Sequence, residues 1–380
     1  MRGNRFYKLL DLFAGTFLIV LLRCAGFKRR QTSNLSPRNI AVIKLAAIGD
    51  TLLLVPVLRT LRTAYPAAKI YFIGTKINEE LIALFPAYVD RFFRLDIHRS
   101  VRRPFSFIQF IRRVRTLDLD IILDFEQWSM ITPVIAGLSG ARAAAGFYGS
   151  HWVRHFLYST AIRRKPNMHE AENFLRLLNA GLGLHGVPDL ELPVQQEAVD
   201  SIILDLQRYG WTPNRKLIVM HPGCGSHGFP REWPIDSYRA VCDRLSKEQK
   251  VFFVFTGNGV ERNLTAKLEQ AYPGTSCSFN DLSLVRLIAV LSLADIFISG
   301  NNGVMHLAGA LKRPQIALHG PTNAVKWGPL NPAAIVIRTT CPGCPWLDLG
   351  YEFHRVDGFC MAQITVDEVY QAFKHLLLHS

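Results

Sequence analysis

The sequence predicts an α/β chain of two open units in series, each a mostly parallel sheet with helices on both faces. Three observations carry this. Apolar runs of strand length alternate with stretches of helical period along most of the chain. An apolar run ends in a glycine turn at "VIKLAAIGDT" (residues 42–51) and again at "KLIVMHPGCG" (216–225), so the pattern restarts halfway. The chain has 380 residues and is 49% hydrophobic, which is ample for more than one core.

In the first unit, "NIAVIKL" reads as a buried strand between Pro37 and the glycine turn. "TLLLVPVLRTLRTAYP" reads as helix, with Arg59 and Arg62 three apart. "KIYFIG" is the next strand. "LDLDIILDFE" is a later one, followed by helix from Gln127 to about Leu138. The turn formers of "LHGVPDLELPV" place the boundary between about residues 185 and 213, with a helix over 196–208. In the second unit, "KLIVMH" and "KVFFVF" are strands with glycine loops, and "PIDSYRAVCDRLSKEQ" is an amphipathic helix between them. "SLVRLIAVLSLAD" is helix, "IFISG" strand, "GVMHLAGALK" helix, and "RPQIALHGPT" strand and turn.

The first 36 residues differ. The apolar run Leu12–Leu22 is shorter than the ~20 residues a membrane span needs, and Asp11 stops its extension toward the N-terminus. "RCAGFKRR" is a poor cleavage site. The expectation is a helix on the inner face of the cytoplasmic membrane, where Arg23, Lys28, Arg29 and Arg30 meet anionic head groups. The alternative is a helix packed on the protein itself.

Lys and Arg total 44 against 30 Asp and Glu, a net charge of +14. That favours anionic partners: phosphorylated substrates or an anionic membrane surface. No zinc-finger or helix-turn-helix signature appears, so nucleic acid is not expected. Seven scattered cysteines do not form a disulfide scaffold and suit a reducing, cytoplasmic compartment.

Paired open α/β units bind ligands in a cleft outside the carboxyl ends of their strands. Asp50, just after the first strand and Gly49, falls on that wall. A carboxylate there can take the proton of an attacking hydroxyl. It can equally cap the following helix. Lys44 belongs to the strand text, and Thr51 is a poor base.

The segment "IKLAAIGDTLLLVPVLRTLRTAYPAAKIYFI" resembles the bacterial lipopolysaccharide heptosyltransferase (ADP-heptose glycosyltransferase) family. So do "HEAENFLRLLNAGLG", "HPGCGSHGFPREWPIDSY", "VFTGNGVERN" and "ADIFISGNNGVMHLAGALKRPQIALHGPTNAVKWGP", in order and spacing over about residues 39–375. The resemblance implies a GT-B glycosyltransferase fold of two Rossmann-like domains facing across a cleft. It implies an acceptor domain over 37–190 and a nucleotide-sugar domain over 191–380, after a membrane-associating segment over 1–36. It further implies an inverting transfer without metal or other cofactor, from a nucleotide-diphosphate sugar, ADP-heptose first, to a lipid-linked glycan such as lipopolysaccharide core.

By that resemblance Asp50 is the catalytic base, Arg231 the basic phosphate-side residue and Glu261 the acid near the nucleoside. Gly223 and Gly225 lie in a loop whose amides are expected to cradle diphosphate. Arg231 would add a bidentate cation where the family more often has Lys. Asn301, Asn302 and Gly303 lead into a helix start that attracts phosphate, but the family usually shows Asp-Thr where this chain has Asn301-Asn302. His306 reaches a phosphate or fixes the loop. Lys326 and Trp327 close the far side of the donor pocket. Glu261 accepts from ribose hydroxyls or supports the next helix. Arg59, Arg62, Arg99, Arg102 and Arg103 are the acceptor candidates, or a solvated face. Cys341, Cys344, Cys360 and His354 have zinc-knuckle spacing, though plain structural thiols are the simpler reading. Two other functions stay open: a weakened or inactive nucleotide-sugar-binding or assembly protein, and a nucleotide-sugar epimerase of the same architecture.

Overall fold

The computed structural model describes residues 5–26, 36–149, 152–225, 231–248, 250–339 and 359–379. Lys28, Arg29, Arg30, Cys341, Cys344 and His354 lie outside the described residues. The chain divides into two compact units, Met1–Asp189 and Leu190–Ser380.

Unit 1 opens with α1 (Arg5–Cys24), β1 (Asn39–Ile43), α2 (Ile48–Leu52), α3 (Val55–Ala64) and β2 (Lys69–Gly74). It continues with α4 (Lys76–Ile82), β3 (Arg91–Arg94), α5 (Ile97–Arg102), α6 (Pro104–Arg115), β4 (Ile121–Asp124) and α7 (Ile131–Leu138). It closes with β5 (Ala143–Tyr148), a 3-10 turn at Trp152–Leu157, β6 (Thr160–Arg163) and α8 (Glu170–Leu182). The sheet is parallel throughout, in the order β3-β2-β1-β4-β5-β6. Ile40 of β1 pairs with Ile70 on one side and Ile121 on the other. A strand covered on both faces has no solvent side to alternate with, so β1 is an unbroken apolar run.

The single helix expected over 51–66 is two. Pro56 sits in the first turn of α3, where its missing N–H costs nothing, and the chain bends at Leu53–Leu54 ahead of it.

The first helix packs on unit 1 with one of its faces. Ile19 is buried against Met130, Val134 and Leu157. A Cβ on Gly15 would lie 2.4 Å from the Met130 Cβ, so only glycine allows this approach. Asp11 is the docking group. Its carboxylate accepts from the amides of Met130 (2.7 Å) and Ile131 (2.9 Å), at the start of α7. The outward face leaves Phe6, Phe13, Phe17 and Leu21 exposed. Among the described residues no helix is long and apolar enough to cross a membrane.

Unit 2 runs α9 (Gln196–Arg208), β7 (Lys216–His221), α10 (Ile235–Glu248), β8 (Val251–Gly257), α11 (Arg262–Ala271) and β9 (Ser276–Asn280). Then come α12 (Leu284–Leu293), β10 (Ile296–Gly300), α13 (Gly303–Ala310), β11 (Gln315–His319), α14 (Ala324–Trp327) and β12 (Ala334–Arg338). The helices α15 (Phe359–Ala362) and α16 (Val366–His379) end the chain. This sheet is also parallel, in the order β12-β11-β10-β7-β8-β9. Counted from its own first strand, that is the order of unit 1. Each sheet therefore has one point where its winding reverses, between β1 and β4 and between β7 and β10. Ligand sites of doubly wound sheets form there.

Candidate active site

At the switch point of unit 1, β1 stops at Ile43 and Lys44 follows, its side chain fully buried. Its Nζ lies 3.4 Å from Asp50 Oδ2 and 3.4 Å from Glu126 Oε2. It also lies 5.6 Å from the centre of the Trp128 ring. A buried ammonium persists only with such company. Glu126 stands just beyond β4, the neighbouring strand, and accepts from the amides of Leu45 and Gln127 (3.1 Å each). Burial pushes its carboxyl up. The Lys44 ammonium, those two amides and Arg154 outweigh burial together and hold it below its ordinary value.

Between Lys44 and Asp50 the backbone turns sharply. Ala47 sits at φ 40°, ψ 161°, in the left-handed half of the map that a Cβ disfavours. The turn is braced. The Thr51 amide and hydroxyl both donate to the Ala47 carbonyl (3.0 and 2.8 Å), and Asn78 donates to the Thr51 hydroxyl (2.7 Å). The N-cap position of α2 belongs to Ala47, which makes no side-chain cap, and Asp50 is the third residue of the helix. The capping reading of Asp50 is thus corrected. The carboxylate, 5% exposed, is held by the buried lysine instead.

Beneath this pair lies a second polar layer. Arg154 donates to the carbonyls of Phe147 (3.1 Å), Glu126 (2.8 Å) and Ser129, and reaches Asp124 at 3.5 Å. The Tyr158 hydroxyl donates to Asp124. Burial still raises the Asp124 carboxyl, against the pull of Arg154. Beside Lys44, the guanidinium of Arg164 covers the other reach of the Trp128 ring at 5.2 Å and pairs with Glu170 at 3.3 Å. Sequence reading missed Lys44, Glu126, Trp128 and Arg164. The signal was there: a lone lysine in "AVIKLAA" and two carboxylates in "IILDFEQ" must find partners if those runs are buried.

The acceptor arginines divide. Arg62 donates to the carbonyls of Ala87 (3.0 Å), Pro66 (3.1 Å) and Ala68 (2.8 Å) and pairs with Asp90 at 2.6 Å. Arg59 donates to the Asp189 carbonyl at 3.0 Å. Both staple the fold. Arg99, Arg102 and Arg103 are exposed on and after α5, which follows edge strand β3.

At the switch point of unit 2, the loops after β7 and β10 are tied to each other. Arg231 donates to the carbonyls of Asn301 (2.8 Å) and Cys224 (3.1 Å). Asn302 caps α13 through the Met305 amide (2.9 Å), and its own amide nitrogen donates to the Gly223 carbonyl (3.0 Å). Gly303 opens that helix, and His306 is buried in its first turn. Asn301, also buried, donates to the Trp327 carbonyl at 3.1 Å and so anchors the Lys326–Trp327 turn. Lys326 Nζ lies 5.1 Å from the Trp327 ring.

Two expectations change here. In the loop of Gly223 and Gly225, expected to cradle diphosphate, the Gly225 amide donates to Glu261 at 2.7 Å and the intervening Cys224 amide to Glu232 at 3.2 Å. Glu261 is a brace as well, since its other oxygen accepts from the Asn258 amide at 2.9 Å. A Cβ on Gly223 would lie 2.2 Å from Glu261 Oε1, so this loop and carboxylate leave no room for a side chain. Burial pushes the Cys224 thiol up to about 11, despite Arg231, which makes it a poor nucleophile.

Chemically, the first switch point offers a carboxylate able to take a proton. The second offers a guanidinium, a lysine and a helix start, which suit an anion. Comparison with known proteins gives the family and the fold. Residues 107–347 match the model of glycosyltransferase family 9 (heptosyltransferase). The chain is 23% identical over 360 residues to lipooligosaccharide heptosyltransferase 2 of Haemophilus ducreyi, covering 89% of this chain and 99% of that one. It is 20% identical over 346 residues to the Campylobacter jejuni protein of the same name, covering 88% and 96%. Among solved structures, a family 9 glycosyltransferase of Veillonella parvula superposes with a TM-score of 0.75 at 19% identity, over 93% of this chain and 99% of that one. Escherichia coli ADP-heptose lps heptosyltransferase II gives 0.69 at 20% identity, over 90% and 99%. The fold is that of GT-B glycosyltransferases, and the chain belongs to glycosyltransferase family 9 (heptosyltransferase).

Proposed function

We propose that the protein is an inverting, metal-independent glycosyltransferase that moves heptose from ADP-heptose to a lipopolysaccharide core or related lipid-linked glycan. The observation that carries the reading is Asp50, nearly buried, ion-paired to Lys44 and placed after β1 at a switch point. In the transfer, an acceptor hydroxyl attacks the anomeric carbon as its proton passes to Asp50. The bond to the diphosphate breaks, and the nucleoside diphosphate leaves with the electron pair. Lys44 keeps Asp50 ionised until the proton arrives. Arg231 and Lys326, with the start of α13, receive the charge that develops on the diphosphate. Glu261 orders the loop around the nucleoside. The donor sugar rests on the family and on relatives named for heptose transfer.

The reading in which Asn301 marks lost chemistry is the weaker one. Its amide nitrogen serves a buried carbonyl that a carboxylate could not serve, so asparagine fits the site as built.

The protein works at the inner face of the cytoplasmic membrane, held there peripherally by the outward apolar face of α1. The test is a panel of nucleotide-sugars assayed for binding and for transfer to lipid-linked core extracts, with and without excess chelator. Transfer from ADP-heptose that persists in chelator is expected. Donor isomerisation without acceptor would replace transfer by epimerisation. Tight binding without turnover would support an assembly protein.

A further inference from the structure

Between α1 and the pair α5–α6 runs a groove of about 380 Å³, lined mainly by apolar side chains, among them Leu10, Ala14, Leu18, Val101, Phe107 and Ile108. One end is closed by the Tyr7 hydroxyl, 3.1 Å from His98 Nδ1, with the two rings edge to face. The groove exists because α1 is apolar on three sides. Ile19 and Gly15 face α7, Ala14 and Leu18 face the groove, and Phe6, Phe13 and Phe17 face outward at 66%, 69% and 66% exposure. A helix with so much apolar surface is normally enclosed by protein or by lipid. On the far wall, Phe105 and Ile108 are 60% and 47% exposed, so the apolar surface continues from one wall to the other.

Asp11 also lines the groove, but its carboxylate is taken up by the amides of Met130 and Ile131, and Asp96 caps α5; the charge carried along α5 and α6 themselves is all positive. From Ile97 to Leu117 the chain carries Arg99, Arg102, Arg103, Arg112, Arg113 and Arg115 and no carboxylate. Arg99, Arg102 and Arg103 are exposed along the α5 wall. An apolar slot with a cationic rim fits a molecule with a hydrocarbon chain and an anionic head.

We propose that this groove binds one hydrocarbon chain of an anionic membrane lipid, whose phosphate sits on Arg99, Arg102 and Arg103. This goes beyond peripheral attachment: it is a stoichiometric site, in which one chain leaves the bilayer and enters the protein. It is also independent of the transfer reaction, so its failure leaves the proposed function standing.

The experiment titrates the full chain with dodecyl phosphate, below its critical micelle concentration, in a calorimeter. Saturable binding of one molecule per chain is expected. Ala14→Trp and Val101→Trp fill the slot from opposite walls, and each should weaken binding at least tenfold. The triple change Arg99→Ser, Arg102→Ser, Arg103→Ser should also weaken it, by about tenfold or more. Phe13→Ser with Phe17→Ser alters only the outward face. It should leave dodecyl phosphate binding within twofold while reducing sedimentation with phosphatidylglycerol vesicles. Lack of saturable binding in the parent overturns the proposal. So does parental affinity in the two tryptophan variants at unchanged melting temperature. A parent dimer that Ala14→Trp disperses, with no dodecyl phosphate bound by either, would assign the face to a second copy instead.

Discussion

Two sheets with one winding order carry opposite kinds of chemistry at equivalent places. The switch point of unit 1 gathers full charges and buries them: Lys44 between Asp50 and Glu126, with Asp124 and Arg154 below. That of unit 2 gathers mostly backbone groups and amide side chains, with Asn301, Asn302 and Arg231 spanning its loops. The first arrangement fixes where a proton goes and is costly to desolvate. The second suits an anion, with one guanidinium, Arg231, among donors that are otherwise neutral. The topology supplies a place, and the loop residues decide what happens there.

If that contrast is right, damage at the two places should read out differently. The largest effect is expected from Asp50→Asn. Its transfer rate should fall by roughly 10²–10⁴, the range for a lost general base, while donor affinity measured by calorimetry stays near the parent's. A rate within a few-fold of the parent would break the comparison.

Next is Lys44→Met, which removes the buried ammonium between two carboxylates. Urea unfolding should show a loss of about 3–5 kcal/mol, the cost of breaking a buried ion pair from one side. The pH dependence sharpens this. Glu126 is depressed in the folded chain, so its stabilising contribution is complete above the ordinary value of 4.5 and is lost as pH falls through the lower folded value. With Lys44 gone, acid-induced loss of stability should begin at a higher pH.

In unit 2, Arg231→Ala should weaken donor binding by about 1.5–3 kcal/mol, the worth of a charged hydrogen bond, with a smaller effect on the rate at saturating donor. An equal loss in both would place Arg231 in the chemistry. The smallest effect is expected for Asn301→Asp. It sets a carboxylate against the Trp327 carbonyl and should cost about 1–3 kcal/mol of stability, read by thermal melting with and without nucleotide. A variant that gains both stability and turnover would revive the reading of lost chemistry.

The central strands were legible in the sequence and the edges were not. β1, β2, β7, β8, β10 and β11 are apolar runs buried on both faces. β3 ("RFFR") and β6 ("TAIR") are short, half-exposed edge strands with no such run to announce them; β12 ("AIVIR"), also an edge strand, has a short apolar run but is only half buried. β5, "AAAGFY", is central, but its alanines and glycine have little strand preference, and packing alone makes it a strand. In the site, Asp50 was a candidate from its place after the first strand and Gly49, and Arg231 only from the family resemblance. The Lys44–Glu126 contact could not be named, since it joins residues 82 apart through the adjacency of β1 and β4. For the same reason, Arg62 read as a ligand contact and proved to be a staple whose carbonyl partners carry no mark in the sequence.

In the proposed reaction, Ala47 bears on speed as well as on geometry. Glycine would reach φ 40° without strain, and it would reach many other angles too. Alanine costs of order 1–3 kcal/mol there and narrows the turn to the arrangement that Thr51 and Asn78 clamp. The carboxylate that follows is therefore aimed before any ligand arrives. The reorganisation that a looser turn would have to complete in each catalytic cycle has been settled once, during folding.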